Sequence, residues 1–114
     1  MYNVSLKDHN SMLNMLDAVE KIQAYTRPFK TADGLFGDVK AFDAVLMNFI
    51  VLGEMVDKIS EGLKDSTAEK VDWFKIKGFR NILAHNYFGI DAEELWQIIH
   101  KHIPKLKKEL QNLT

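Results

Sequence analysis

An arginine, a histidine and a tyrosine stand close together in a helix-like segment that runs from residue 80 to residue 87. The guanidinium of Arg80 offers a planar fork of donors that fits the oxygens of a phosphate. The imidazole of His85 can accept or donate a proton near neutral pH. These two groups together could cleave a phosphodiester without a metal ion, and this is the chemistry that the segment suggests.

Helix geometry decides which of these side chains can meet. On an ideal helix Asn81 and His85 lie about 40° apart, and Arg80 and Tyr87 lie about 20° apart, so each pair shares a face. Arg80 and His85 are about 140° apart and do not stack directly. The length of arginine, a loosened helix end or a second copy of the chain would bring them together. On spacing alone, an ordinary salt bridge of Arg80 and a helix-capping role for His85 remain an alternative.

Composition limits the classes of protein to which the chain can belong. The 114 residues contain no cysteine, which leaves neither disulfides nor a thiolate metal site. The net charge of −1 is not typical of a nucleic-acid binder, but residues 1–69 carry −4 and residues 70–114 carry +3, so the motif lies in the basic half. The length predicts a single domain over 1–114. No signal-peptide or membrane-spanning apolar run is present in the sequence, and we expect a cytoplasmic protein.

Helical periodicity runs through nearly the whole chain, without the alternation that is typical of strands. Residues 28–37 and 63–70 are expected to be loops. The sequence predicts an all-α fold, an antiparallel bundle of four main helices in which Pro104 kinks the last helix or splits off a short fifth. The predicted helices run from Ser5 to about Thr26, from Asp38 to Glu61, from Asp72 to the turn at Asn86–Gly89, and onward from Asp91.

Proline and glycine are expected to end two of these helices. Pro28 should push Arg27 out of helical angles, and Gly62 should stop the second helix. The second helix is apolar on more than one face, which is typical of a helix that is central in its bundle or pairs with another chain. The predicted apolar stripes are Met12, Met15, Leu16, Val19 and Ile22; Phe42, Val45, Phe49, Leu52, Val56 and Ile59; and Phe74, Ile76, Phe79, Ile82 and Leu83.

Other polar residues are candidates for a supporting role or for metal binding. Glu54 is a candidate supporting residue that pairs with Arg80 or contacts His85, and the alternative is an acid on the polar edge of its helix. His100 and His102 have no further ligand at metal-binding spacing, so no metal site is expected. The chain has no glycine-rich phosphate loop, so we expect it to bind neither ATP nor another cofactor.

The longer string of residues 79–91, Phe-Arg-Asn-Ile-Leu-Ala-His-Asn-Tyr-Phe-Gly-Ile-Asp, resembles the signature of the HEPN superfamily. In particular it is similar to the HepT branch, in which four residues separate an arginine from a histidine and a tyrosine follows two residues later. The resemblance covers about residues 6–110. Further similar segments are the Leu-Gly-Glu at 52–54, residues 71–78, the Leu-Trp at 95–96 and residues 103–106.

The resemblance implies a function that the spacing alone does not give. It implies a helical homodimer with its motifs near the interface, acting as a metal-independent endoribonuclease and as the toxin of a toxin–antitoxin pair. Arg80 and His85 match the catalytic pair, and Asn81 matches the polar residue after the arginine. The implied partner is a minimal nucleotidyltransferase antitoxin that transfers adenylate from ATP to the motif tyrosine, here Tyr87. The alternative is a non-catalytic helical dimer that serves as an accessory or binding subunit of a nucleotidyltransferase.

Overall fold

The computed structural model describes residues 4–114, and every regular element among them is helical, which confirms the all-α prediction. A 3-10 turn at Tyr87–Gly89 follows the fifth α-helix, and a π-helical segment at Ile98–His102 joins the last two. The seven α-helices within residues 4–114 are α1 (Leu6–Thr26), α2 (Ala32–Gly37), α3 (Val39–Val56), α4 (Glu61–Ser66), α5 (Trp73–His85), α6 (Ala92–Gln97) and α7 (Ile103–Leu113).

Helix α3 is the central element, since it packs against α1 on one side and α5 on the other. This agrees with its apolar residues on more than one face. Helix α7 packs on α1, and the short α2 bridges α3 and α6. The core is made of apolar residues from all of these helices, including Met12, Met15, Val19, Ile22, Val45, Phe49, Leu52, Val56, Trp73, Leu83, Leu95, Ile99, Ile103 and Leu110.

Polar caps fix where most of the helices begin. Among residues 4–114, six of the seven α-helices follow a Ser, Thr or Asp whose side chain accepts a backbone N–H of the first turn. Such a bond satisfies one of the donors that a helix start leaves free. The starts predicted at Ser5, Asp38, Asp72 and Asp91 are confirmed, with cap distances of 2.9–3.1 Å.

The loop expected at residues 28–37 is wrong in its second half, which forms α2. Gly34 and Gly37 gave this segment the composition of a loop. The Thr31 hydroxyl accepts the backbone N–H of Gly34 at 3.0 Å, and Leu35 is buried against the core. One cap and one anchoring side chain are enough for a short helix that the neighbouring α3 covers.

The second long helix ends earlier than predicted, at Val56 rather than at Glu61. Gly62 therefore does not stop it, and lies instead inside α4, which occupies part of the predicted 63–70 loop. Ser60 caps α4, and the buried carboxylate of Asp8 accepts both the backbone N–H and the hydroxyl of Ser60. This contact joins distant parts of the chain and sets the break between α3 and α4. It cannot be read from the local sequence pattern.

Pro28 acts differently from the expectation, whereas the break expected near Pro104 is present between α6 and α7. The first helix ends at Thr26 as predicted, but Arg27 keeps helical angles (φ −52°, ψ −38°) because its N–H still bonds the carbonyl of Gln23. The preference of a residue before proline for extended angles is outweighed there. Near Pro104 the chain stays helical through the break, because the N–H of Ile103 donates to the carbonyl of Ile98 in the π turn that precedes the proline. Pro104 then sits in the first turn of α7, where its missing donor costs little.

The apolar stripe predicted for the third helix is buried only in part. Leu83 lies in the core, but Phe74 and Ile82 are 89% and 58% exposed. Helix α5 packs on α3 with only one side. Because its apolar surface is broader than this contact, the apolar residues on its far side stay uncovered. Among the described residues no helix is long and apolar enough to cross a membrane.

Replacing Asp8 by Ala should lower the free energy of unfolding by about 2 kcal/mol, because two hydrogen bonds to a buried carboxylate are lost at once. The shift can be measured as a lower urea midpoint. Asp17→Ala is the matched control, since Asp17 is an exposed carboxylate on the same helix that pairs only with Lys21. Equal midpoints for the two variants would contradict the role of Asp8.

Candidate active site between α3 and α5

The motif occupies the last two turns of α5 and the 3-10 turn after it. Asn81 and His85 are both exposed and lie one turn apart on the solvent side of α5, as predicted. Helix α5 ends at His85, so Tyr87 no longer follows the helical rotation that was expected to place it on the face of Arg80. Both Arg80 and Tyr87 nevertheless reach α3, through different contacts.

Arg80 is held by two hydrogen-bond acceptors. Its Nη2 forms an ion pair with Oε1 of Glu54 on α3, which is the first of the two contacts expected for Glu54. Its Nη1 donates to Oδ1 of Asn81 at 2.9 Å. The side chains of Arg80 and Glu54 remain 29% and 46% exposed, so the guanidinium is fixed at the surface. The guanidinium N–H groups that Glu54 and Asn81 do not engage can bind a phosphate that arrives from solvent.

Asn81 links Arg80 to the face that carries His85. Its side chain accepts a hydrogen bond from Arg80, and His85 follows Asn81 by one turn on the same face of α5. No hydrogen bond within residues 4–114 involves the imidazole of His85, which faces solvent at the C-terminus of α5.

Gly53 makes room for the arginine. A Cβ added at Gly53 would overlap the Cβ of Arg80 and lie 2.5 Å from its Cγ. The helices α3 and α5 therefore approach each other most closely at the step where the motif begins. A larger residue at this position would push Arg80 away from its neighbour Glu54.

Tyr87 is tied to α3 at the other end of the motif. Its hydroxyl donates to Oδ1 of Asp43 at 2.6 Å, although the ring is still 40% exposed. Phe42 and Phe88 meet the ring edge to face, with centroid distances of 6.3 and 5.1 Å. The hydrogen bond to Asp43 raises the pKa of Tyr87 above its usual value near 10, with smaller effects of desolvation and of the carboxylate charge in the same direction.

One stripe of α3 carries both carboxylates that hold the motif. Asp43, Met47, Ile50 and Glu54 follow one another at spacings of four, three and four residues, which places them on one face of the helix. Asp43 and Glu54 are thus about 16 Å apart along the axis, at a rise of about 1.5 Å per residue. Met47 lies between them and is 58% exposed.

Asp43 and Gly53 were not predicted as site residues. The eleven-residue spacing of Asp43 and Glu54 was readable in the sequence, but which face of α3 meets α5 was not. His100 lies on the surface and contacts the Trp96 ring and carbonyl. Within residues 4–114 no three His, Asp or Glu side chains converge as metal ligands.

Comparison with known proteins agrees with the resemblance seen in the sequence. Residues 15–113 match the family described as "Ribonuclease HepT-like". A protein of Thermococcus cleftensis named "Probable ribonuclease HepT" is 31% identical over 108 residues, which are 94% of this chain and 96% of that protein. A protein of Methanocaldococcus jannaschii named "Gamma-glutamylcyclotransferase and putative RNase" is 32% identical over 105 residues, 91% of this chain.

The relatives differ in how much of their own length the chain spans. It covers 46% of the Methanocaldococcus protein above. It covers 62% of another protein of that organism, named a "Putative RNase", which is 38% identical over 68 residues, or 60% of this chain. No solved structure matches the chain significantly.

Replacing Gly53 by Ala should destabilise the fold by about 1–3 kcal/mol, since the added methyl group collides with the base of the Arg80 side chain. Gly62→Ala is the matched control: nothing lies within 4 Å of its added Cβ, and alanine in a helix should stabilise by about 0.5–1 kcal/mol. Thermal melts of both variants measure the difference. A melt of the Gly53 variant at or above that of the unchanged chain would contradict the close approach.

Proposed function

Because the chain belongs to the HepT-like ribonuclease family, we propose that it is an endoribonuclease and the toxin of a toxin–antitoxin pair. The observation that carries the proposal is the guanidinium of Arg80, which Glu54 and Asn81 anchor, with the exposed His85 one turn after Asn81 on the same face of α5. Both groups needed for phosphodiester cleavage are therefore accessible from solvent on one end of α5.

The proposed reaction uses the 2′-hydroxyl of RNA, which DNA lacks. His85 accepts the proton of that hydroxyl as its oxygen attacks the adjacent phosphorus, or returns a proton to the leaving 5′-oxygen. Arg80 donates to the phosphate oxygens on which negative charge develops. The products are a 2′,3′-cyclic phosphate and a free 5′-hydroxyl. These steps need only side chains of this chain, and we propose a metal-independent enzyme.

Glu54 sets the geometry of Arg80 before substrate arrives. Its carboxylate accepts from Nη2 and Asn81 accepts from Nη1, which leaves the remaining N–H groups of the guanidinium for the phosphate. The same negative charge opposes a phosphate at that position, so the RNA backbone competes with Glu54 for the cation. We therefore assign Glu54 a supporting role, in agreement with its prediction as a candidate supporting residue.

We propose that the active form is a homodimer. The exposed side of α5 carries Phe74 and Ile82 on the same side as His85, and beyond the helix Phe88 is 98% exposed. Large exposed apolar side chains in one region are typical of protein interfaces. Phe74 and Ile82 border an open cleft of about 760 Å³ between α5 and the last helices, whose apolar lining residues include Phe79, Ile98, Ile103 and Leu106. A second copy seated there would bring another Arg80 near His85.

The proposed antitoxin is a minimal nucleotidyltransferase that adenylylates Tyr87. The hydroxyl of Tyr87 lies at the surface, where an enzyme could reach it. An adenylate on this oxygen would add bulk and a negative charge on the side of α3 that also holds Arg80, seven residues earlier in the chain. The modified tyrosine would then occupy the place of the substrate phosphate, and cleavage would stop.

Replacing His85 by Ala should reduce RNA cleavage at least 100-fold without lowering the melting temperature, because the side chain is exposed and makes no contact that holds the fold. Cleavage is measured on a fluorescent single-stranded RNA with EDTA present. His100→Ala, a change at another exposed histidine that does not line the cleft, is the matched control. Cleavage that survives in the His85 variant would reject the assignment of His85, and cleavage by neither protein would favour the non-catalytic accessory subunit.

Mixing two inactive variants tests whether the site is shared between subunits. If Arg80 of one subunit serves His85 of the other, co-refolded Arg80→Ala and His85→Ala chains should recover roughly a quarter of the unchanged activity, since half of the dimers are mixed and each has one intact site. The measurement is the RNA-cleavage rate before and after co-refolding. Activity that stays at the level of the separate variants would place both groups in one subunit.

A further inference from the structure

A carboxylate stands directly against the hydroxyl that the proposed antitoxin would modify. Oδ1 of Asp43 accepts the hydrogen bond from Oη of Tyr87 at 2.6 Å. Asp43 is an exposed residue of α3, and Tyr87 lies on the 3-10 turn after α5, 44 residues later. The contact is therefore a product of the tertiary fold. The phenol has its proton directed at a base before any partner arrives.

The phenol needs such a base for group transfer. The same hydrogen bond raises the pKa of Tyr87, so the more nucleophilic phenolate is scarce at neutral pH. A neutral phenol that attacks phosphorus must lose its proton as the new bond forms, and an acceptor in hydrogen-bond contact can take it. Within the described residues Asp43 is the group that accepts the Tyr87 hydrogen bond.

We infer that Asp43 is the proton acceptor that prepares Tyr87 for nucleotidyl transfer, an assignment that rests on the proposed function. In this step Oη of Tyr87 forms a bond to the α-phosphorus of a nucleoside triphosphate brought by the partner. The bond from the α-phosphorus to the bridging oxygen breaks, and pyrophosphate leaves with that electron pair. The phenolic proton passes to Oδ1 of Asp43 and from there to solvent.

The product of this step should not stay where the phenol was. A phosphodiester on Oη has no proton to donate, and it sets a negative charge against the carboxylate of Asp43. The contact that held Tyr87 thus becomes repulsive. The same carboxylate would therefore assist the transfer and then release the modified tyrosine from α3.

The first experiment compares initial rates of Tyr87 adenylylation by the neighbouring nucleotidyltransferase with MgATP, followed by peptide mass spectrometry. Asp43→Asn keeps an oxygen that accepts the hydrogen bond but is not basic, and it should lower the rate at least 100-fold. Asp43→Glu should restore the rate to within about 10-fold of the unchanged chain, which a purely structural role would not predict. Asp17→Asn, the same change at an exposed carboxylate of α1, should leave the rate unchanged.

A second experiment needs no partner and uses a tyrosine of the same chain as its control. Tyr25 is 39% exposed against 40% for Tyr87, but no carboxylate within residues 4–114 accepts its hydrogen bond. With an aryl sulfonyl fluoride at pH 7, Tyr87 should react at least 10-fold faster than Tyr25, and Asp43→Asn should remove the difference. Peptide mass spectrometry gives both rates from one sample.

The outcomes separate this inference from the function on which it rests. A rate for Asp43→Asn within about threefold of the unchanged chain, or equal reaction of the two tyrosines with the sulfonyl fluoride, would overturn the role of Asp43. Absence of any adenylylation of the unchanged chain would overturn the proposed antitoxin and the inferred transfer with it. RNA cleavage by the unmodified chain, measured in parallel, reports on the ribonuclease proposal by itself.

Discussion

The close approach of α3 and α5 at Gly53 is the constraint on which the candidate site depends. With no side chain at this position, the first carbons of the Arg80 side chain lie directly on the backbone of α3. The guanidinium then meets Glu54, the next residue of α3, and Asn81, its own neighbour on α5. Since α3 is the central helix of the bundle and packs against both α1 and α5, it fixes the position of the arginine relative to the core.

The two carboxylates of the α3 stripe hold the motif at both ends. Glu54 fixes the cation proposed for cleavage, and Asp43 fixes the phenol proposed for regulation. Both acids are on a rigid helix, whereas Tyr87 lies on a short turn after the end of α5. A chemical change at Tyr87 can therefore alter the contacts on this face of α3, which also holds Arg80, without a rearrangement of the core. His85 stays outside both contacts and faces solvent, free for substrate or for a second subunit.

This surface carries carboxylates that repel phosphate as well as the arginine that attracts it. The acids that orient Arg80 and Tyr87 also repel an RNA backbone, so binding would come from local geometry more than from a broad basic field. This agrees with the net charge of −1. The apolar side chains of Phe74, Ile82 and Phe88 are exposed, and such side chains are typical of a surface that another protein covers. A site completed by partners fits both observations.

The sequence by itself determined the helical class, four of the helix starts, most of the core and the placement of Asn81 and His85 on one face, because caps and 3.6-residue periodicity are local. It failed at α2, at the Val56 end of α3 and at the exposed Phe74, where a distant contact or a missing neighbour decides the outcome. Only the tertiary structure joined Glu54 to Arg80 and Asp43 to Tyr87. The physical reason is that periodicity gives the faces of a helix but not which neighbour each face meets.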